Sequence, residues 1–161
     1  TIASVRTTPV DRVIVVTGAD ADAVEESIGD TPVSIVRNPD HRRGNMSSLL
    51  VAADADPSAG AYLQVPGDMP TISPAAITAA CDAWTRRGAW AAVTAYRDRI
   101  AHPFLVSRPA LAEAARWPGS KVLWRTLVES MDPRVERIRI DADAPLDINT
   151  PADHERLLNA N

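Results

Sequence analysis

Short apolar strands and helices follow one another down this chain with little between them, and that alternation limits the possible folds more than any other feature. Residues 13–17, VIVVT, form a β-branched run that Gly18 ends. Such a run reads as a strand covered on both faces. Behind Asp20 and Asp22, residues Ala23, Val24 and Ile28 make one apolar stripe that Gly29 stops, so 19–29 reads as a helix. Further strands are expected at 33–38 (VSIVRN), 61–65 (AYLQV) and 90–96 (WAAVTAY), and at 135–140 (VERIRI), which alternates. Helices are expected at 47–55, 74–87, 108–117, 120–130 and 150–160. The first of these opens on Ser47 and Ser48, good N-cap types. The second carries proline in its first turn and Gly88 after its last. Strand–helix alternation with short links predicts an α/β three-layer sandwich, a mostly parallel central sheet with helices on both faces. No repeat, linker or low-complexity tract divides the 161 residues, so 1–161 reads as one domain.

Composition excludes some partners. A net charge of −4 leaves no basic footprint for nucleic acid. No apolar run approaches the roughly 20 residues of a membrane span, and TIASVRTTPV lacks the layout of a signal peptide. The cytoplasm is the expected location. Cys81 is the single cysteine and lies in a helical pattern, which suits a small packing residue. Trp84, Trp90, Trp117 and Trp124 all fall within expected helices or strands and are read as packing residues at or near the core.

Ligands of open α/β sheets bind beyond the carboxyl ends of the strands, so the loops after strands are where chemistry is sought. In VPGDMP an acid, Asp68, stands on a turn stiffened by Pro66 and Pro70. Ser73 is nearer and better placed to cap the next helix, and Asp68 reads either as a capping or salt-bridged structural acid or as a ligand for Mg²⁺. That ion takes one or two protein carboxylates and completes its shell with phosphates and water. In DADAPLDINTPAD, Thr150 and Asp153 suit the start of the last helix, whereas Asp147 is not explained by that cap and is free to be a second acidic ligand. RNPDHRRGNMSS offers Asn38, Gly44 and a helix start with Ser47 and Ser48, which fits either a plain capped loop or a ligand-binding helix start. In RIAHPFLVSR, His102 before Pro103 fits a loop histidine and a substrate contact equally. Zinc-hydrolase, serine-hydrolase and GK[ST] phosphate-loop motifs are all absent from the sequence.

VIVVTGADADAV, NPDHRRGNMSSL, VPGDMP, AHPFLVSR, KVLWRTL and PLDINTPAD, in this order, resemble the MobA-like nucleotidyltransferases, nearest to their molybdenum cofactor cytidylyltransferase branch. The resemblance implies a Rossmann-like fold of the nucleotide-diphospho-sugar/NTP transferase type. It implies that Asp68 and Asp147 are the catalytic acids that bind Mg²⁺. It places the nucleotide on Asn38, Gly44, Ser47, Ser48, Pro66 and Gly67, and the second substrate on His102, Pro103 and Lys121. GNMSS differs from the GPLAG of guanylyl-transferring members and favours CTP. Ala101 stands in place of the usual glycine before His102, and PGSK lacks the acid of the usual GDK turn. The implied reaction moves CMP from CTP to the terminal phosphate of molybdopterin with release of pyrophosphate, and a molybdoenzyme or its maturation factor is the implied partner. Rival readings are guanylyl or other nucleotidyl transfer to another phosphorylated acceptor, and a non-catalytic cofactor-binding member. The family also opens with a strand and a glycine-rich triphosphate loop. TIASVRTTPVDR matches neither and is expected to be the end of the helix that follows them.

Overall fold

The chain folds in order into α1 (Ile2–Arg6), β1 (Ile14–Thr17), α2 (Ala21–Ile28), β2 (Ser34–Arg37), α3 (Asn45–Ala55), β3 (Ala61–Gln64) and α4 (Pro74–Arg87). There follow β4 (Ala91–Ala95), β5 (Ile100–Ser107), α5 (Arg108–Ala114), α6 (Val122–Trp124), β6 (Val135–Arg139) and α7 (Pro151–Asn159). A 3₁₀ turn, His41–Arg43, precedes α3, and α6 runs on into a π-helical stretch, Arg125–Glu129. This computed structural model describes residues 1–159, so Ala160 of the expected closing helix lies outside the described residues.

β4 shows why the sheet is buried. Its first four residues, Ala91 to Thr94, carry no charge and are fully covered. β5 pairs antiparallel with β4 and with β3, and β6 pairs parallel with β4, giving the order β3-β5-β4-β6. β3, β4 and β6 therefore run the same way and β5 is reversed. The main core lies between this sheet and α3, α5 and α6, around Tyr62, Val93, Phe104, Val106, Leu111, Leu123 and Leu127. On the other face, α4 buries Ile77 and Cys81. Ser73 caps α4 by accepting from the Ala76 N–H at 3.2 Å, and Gly88 ends it at φ +62°.

The sequence reading missed β5, since residues 99–108 were read as a loop. Proline argues against an interior strand, but Pro103 sits at a break in the register. Val93 pairs with Phe104, and the next pair is Thr94 with Ala101. His102 and Pro103 are thus extra residues in a bulge, where proline removes no ladder hydrogen bond. Two further expectations are corrected. The serines do not cap α3, because it begins at Asn45 behind Gly44 and they lie inside its first turns. Trp117 is 66% exposed, because α5 ends at Ala114 and leaves it beyond the helix, whereas Trp124, 37% exposed, still packs on Phe104 of the core.

β1 and β2 form a separate parallel pair. Between β1 and β3 runs a cavity of about 1240 Å³, lined by Ile14, Val15 and Val16 on one side and by Ala61 to Val65 on the other. VIVVT was expected to be covered on both faces. Its three aliphatic residues in β1 are only half-buried, because its free edge opens onto this cavity.

Candidate active site

The turn after β3 is built from backbone hydrogen bonds and proline stiffness. Met69 N–H donates to Pro66 O at 3.4 Å and Ile72 N–H to Met69 O at 3.3 Å. Met69 and Ile72 are buried beneath, so the turn is anchored from below and Asp68 stays at its outer face. Thr1 ties it from the side, its hydroxyl lying 3.1 Å from Gly67 O and 3.2 Å from Met69 O. The segment after β6 is bound directly onto this turn. Leu146 N–H donates to Thr71 Oγ1 at 2.8 Å, and Ile148 N–H donates to Asp68 O at 2.9 Å. Asp147 lies between those two bonds, so backbone contacts bring the two acids together from segments about 80 residues apart.

Part-burial of the Asp68 carboxyl, and then the neighbouring charge of Asp147, raise its pKa above the usual carboxylate value. Two acids sharing a small region repel each other unless a proton or a cation intervenes. A hard divalent ion fits this donor set. Mg²⁺ asks for one or two carboxylates and takes its remaining oxygens from phosphates and water. Among the described residues no larger cluster of metal-ligating side chains gathers. Thr150 and Asp153 do serve as the cap of α7. Asp153 accepts from Asn149 N–H at 3.1 Å and Thr150 N–H at 2.8 Å, while Asp153 N–H reaches Thr150 Oγ1 at 3.2 Å.

The loop after β2 is organised by Asn38, which is 2% exposed. Its amide nitrogen donates to Ser47 Oγ at 2.9 Å and Ser48 Oγ at 3.0 Å, and its Oδ1 accepts from Asp40 N–H at 2.9 Å. Ser47 Oγ in turn donates to Gly44 O at 2.8 Å. Asn38 and Ser47 therefore face the loop's own atoms, whereas Ser48 and Asn45 line the cavity. Gly44 has φ +95°, and a Cβ there would stand 2.8 Å from Ser120 O. That close approach packs the loop against the turn that carries Lys121, which is exposed.

Pro66, Gly67, Asp68, His102 and Asp147 all line the one cavity, whereas Pro103 is buried behind it. The His102 ring stacks on Phe104 with centroids 4.1 Å apart, and burial pushes its pKa down to about 4. Thr1, Gln64 and Thr71 had not been singled out from the sequence. For Gln64 a signal existed, as it is the one strongly polar residue inside AYLQV.

An acidic turn at the carboxyl edge of an α/β sheet, beside a helix start that lines a deep cavity, is an arrangement that suits a nucleotidyltransferase. The model of the MobA-like NTP transferase domain matches residues 1–135, and the chain belongs to that family. It is 30% identical over 143 residues to the molybdenum cofactor cytidylyltransferase of Escherichia coli strain K12, covering 88% of this chain and 71% of that protein. The crystal structure of the Mycobacterium sp. strain JC1 homologue of Mycobacterium tuberculosis Rv0371c superposes with a TM-score of 0.83 at 36% identity, covering 99% of this chain and 80% of that one. Rv0371c itself, in complex with manganese, gives a TM-score of 0.82 at 27% identity over 100% of this chain and 84% of that one.

Proposed function

We propose that this protein is a Mg²⁺-dependent cytidylyltransferase that moves CMP from CTP to the terminal phosphate of molybdopterin. The observation that carries the reading is the direct backbone bond from Ile148 N–H to Asp68 O, which sets Asp147 beside Asp68 at the cavity mouth. The E. coli relative supports the choice of reaction, and the manganese complex of the mycobacterial relative supports a divalent ion.

In the reaction, an oxygen of the acceptor phosphate forms a bond to the α-phosphorus of CTP. The bond from that phosphorus to the bridging oxygen of the β-phosphate breaks, and pyrophosphate leaves with the electron pair. The attacking phosphate is ionised at neutral pH, so the protein need not supply a general base. Asp68 and Asp147 would hold Mg²⁺, which supplies charge neutralisation at the phosphates. The loop from Asn38 to Ser48 would hold the nucleoside, with Asn38, Gly44 and Ser47 setting its shape and Ser48 meeting the ligand. Pro66 and Gly67 keep the metal turn rigid and allow close approach of the chain. His102 and Lys121 would face the acceptor, with Pro103 buried behind His102. Positioning of this kind supplies most of the catalysis in such transfers.

Thermal protection of the intact protein by CTP and by GTP, each with Mg²⁺, tests the assignment. At 100 times its Kd a nucleotide adds about 2.7 kcal/mol of stability. CTP is expected to give the larger shift, and an equal or larger shift with GTP rejects the cytidylyl reading.

A further inference from the structure

The bulge of β5 is held by side chains of both neighbouring strands. Thr94 on β4 is fully buried, and its hydroxyl lies 2.5 Å from Ala101 O and 3.3 Å from Pro103 O. The Tyr96 hydroxyl donates to His102 O at 2.9 Å. Thr94 on β4 and Tyr96 just beyond it therefore reach three successive carbonyls of β5, 101 to 103, at the register break. From the other side, Gln64 on β3 pairs with Phe104 and brings its Oε1 to 3.3 Å from His102 Nε2. Phe104 supports the ring from its face.

A neutral imidazole has one N–H donor and one lone-pair acceptor, and the bond made by one nitrogen decides the state of the other. A carbonyl oxygen facing Nε2 selects the Nε2–H form, which leaves the lone pair on Nδ1. Among the described residues no acidic side chain hydrogen-bonds this ring, and Gln64 is the side chain that meets its Nε2.

We propose that Thr94 and Gln64 are positioning residues for His102: Thr94 fixes the bulge that carries the ring, and Gln64 fixes the Nε2–H tautomer, so that Nδ1 presents an acceptor to an N–H or O–H donor of the second substrate. The substrate half of this proposal rests on the reading that His102 meets the acceptor. The tautomer half does not.

Two measurements on the intact protein separate the halves. Nitrogen-15 NMR of the imidazoles resolves the tautomer of each of the three histidines, with His102 identified by the signal lost in His102→Gln. A single Nε2–H form is expected at neutral pH, turning to a mixture in Gln64→Leu. A wild-type Nδ1–H form, or an unchanged signal in Gln64→Leu, overturns the proposal. In turnover of CTP with molybdopterin, Gln64→Leu is expected to raise the KM for molybdopterin about 2- to 10-fold, the worth of one hydrogen bond, and to leave the KM for CTP unchanged. Thr94→Val should act in the same direction and Thr94→Ser should restore. If the NMR result holds and neither KM moves, the ring is positioned as described but does not meet the acceptor, and the substrate half is rejected. Should Thr94→Val fail to fold, Gln64→Leu decides alone.

Discussion

At the scale of single residues, burial at one cavity moves the pKa values of Asp68 and His102 in opposite directions, each towards its neutral form. Asp68 is pushed up by part-burial and by Asp147, so it takes a proton more readily than a free carboxyl does. Proton and metal ion compete for it, and metal affinity is expected to fall as pH drops through its raised pKa. Asp68→Asn keeps the shape of the turn and removes the charge. It should lower Mg²⁺-dependent turnover at least about 100-fold while leaving the melting temperature near wild type. Turnover close to wild type at saturating Mg²⁺ rejects the metal role. His102 goes the other way, from an ordinary 6.5 down to about 4. The unfolded chain binds a proton between those values and the folded one does not, so this residue's contribution is full above pH 6.5 and is lost as pH falls towards 4. The shift corresponds to something of order 3 kcal/mol. Stability measured against pH should therefore fall less steeply over that interval in His102→Gln than in wild type. Parallel curves would show that the ring is not held neutral.

At the scale of elements, Gly44 joins two loops that the sequence keeps far apart. Its φ of +95° and the 2.8 Å approach to Ser120 O leave no room for a side chain. Gly44→Ala is expected to cost about 1–3 kcal/mol, and hydrogen exchange should report loosening at both 38–48 and 117–121. Loosening of only one loop would show that they do not move together. The acids of the site were legible because each stands after a strand on a turn whose cap is already supplied by another residue: Ser73 for α4, Thr150 with Asp153 for α7. β5 was not legible, because proline and histidine broke its alternation and only the pairing with β4 shows that they leave the ladder together. Gln64 was hidden for a similar reason. Its polarity was plain, but its partner depends on the β3–β5 register, which no local pattern specifies.

At the scale of the whole molecule, the sheet is interrupted beside β1. Ile14, Val15 and Val16 face Leu63 and Val65 across the cavity, and each side presents backbone groups without a strand partner among the described residues. Apolar open edges of this kind recruit other strands. The chain is therefore expected to associate through these edges. Light scattering after size exclusion checks this, and a cooperatively melting monomer would overturn it. A second long-range feature crosses from the surface to the site. Trp124, partly exposed, leans on Phe104 with centroids 6.3 Å apart, and Phe104 stacks on His102 at 4.1 Å. Whatever settles against that histidine is expected to alter the surroundings of that indole through Phe104. The protein thus carries its own optical probe: in a variant keeping Trp124 and replacing Trp84, Trp90 and Trp117 with phenylalanine, emission would follow occupancy of the cavity in real time, with no label attached.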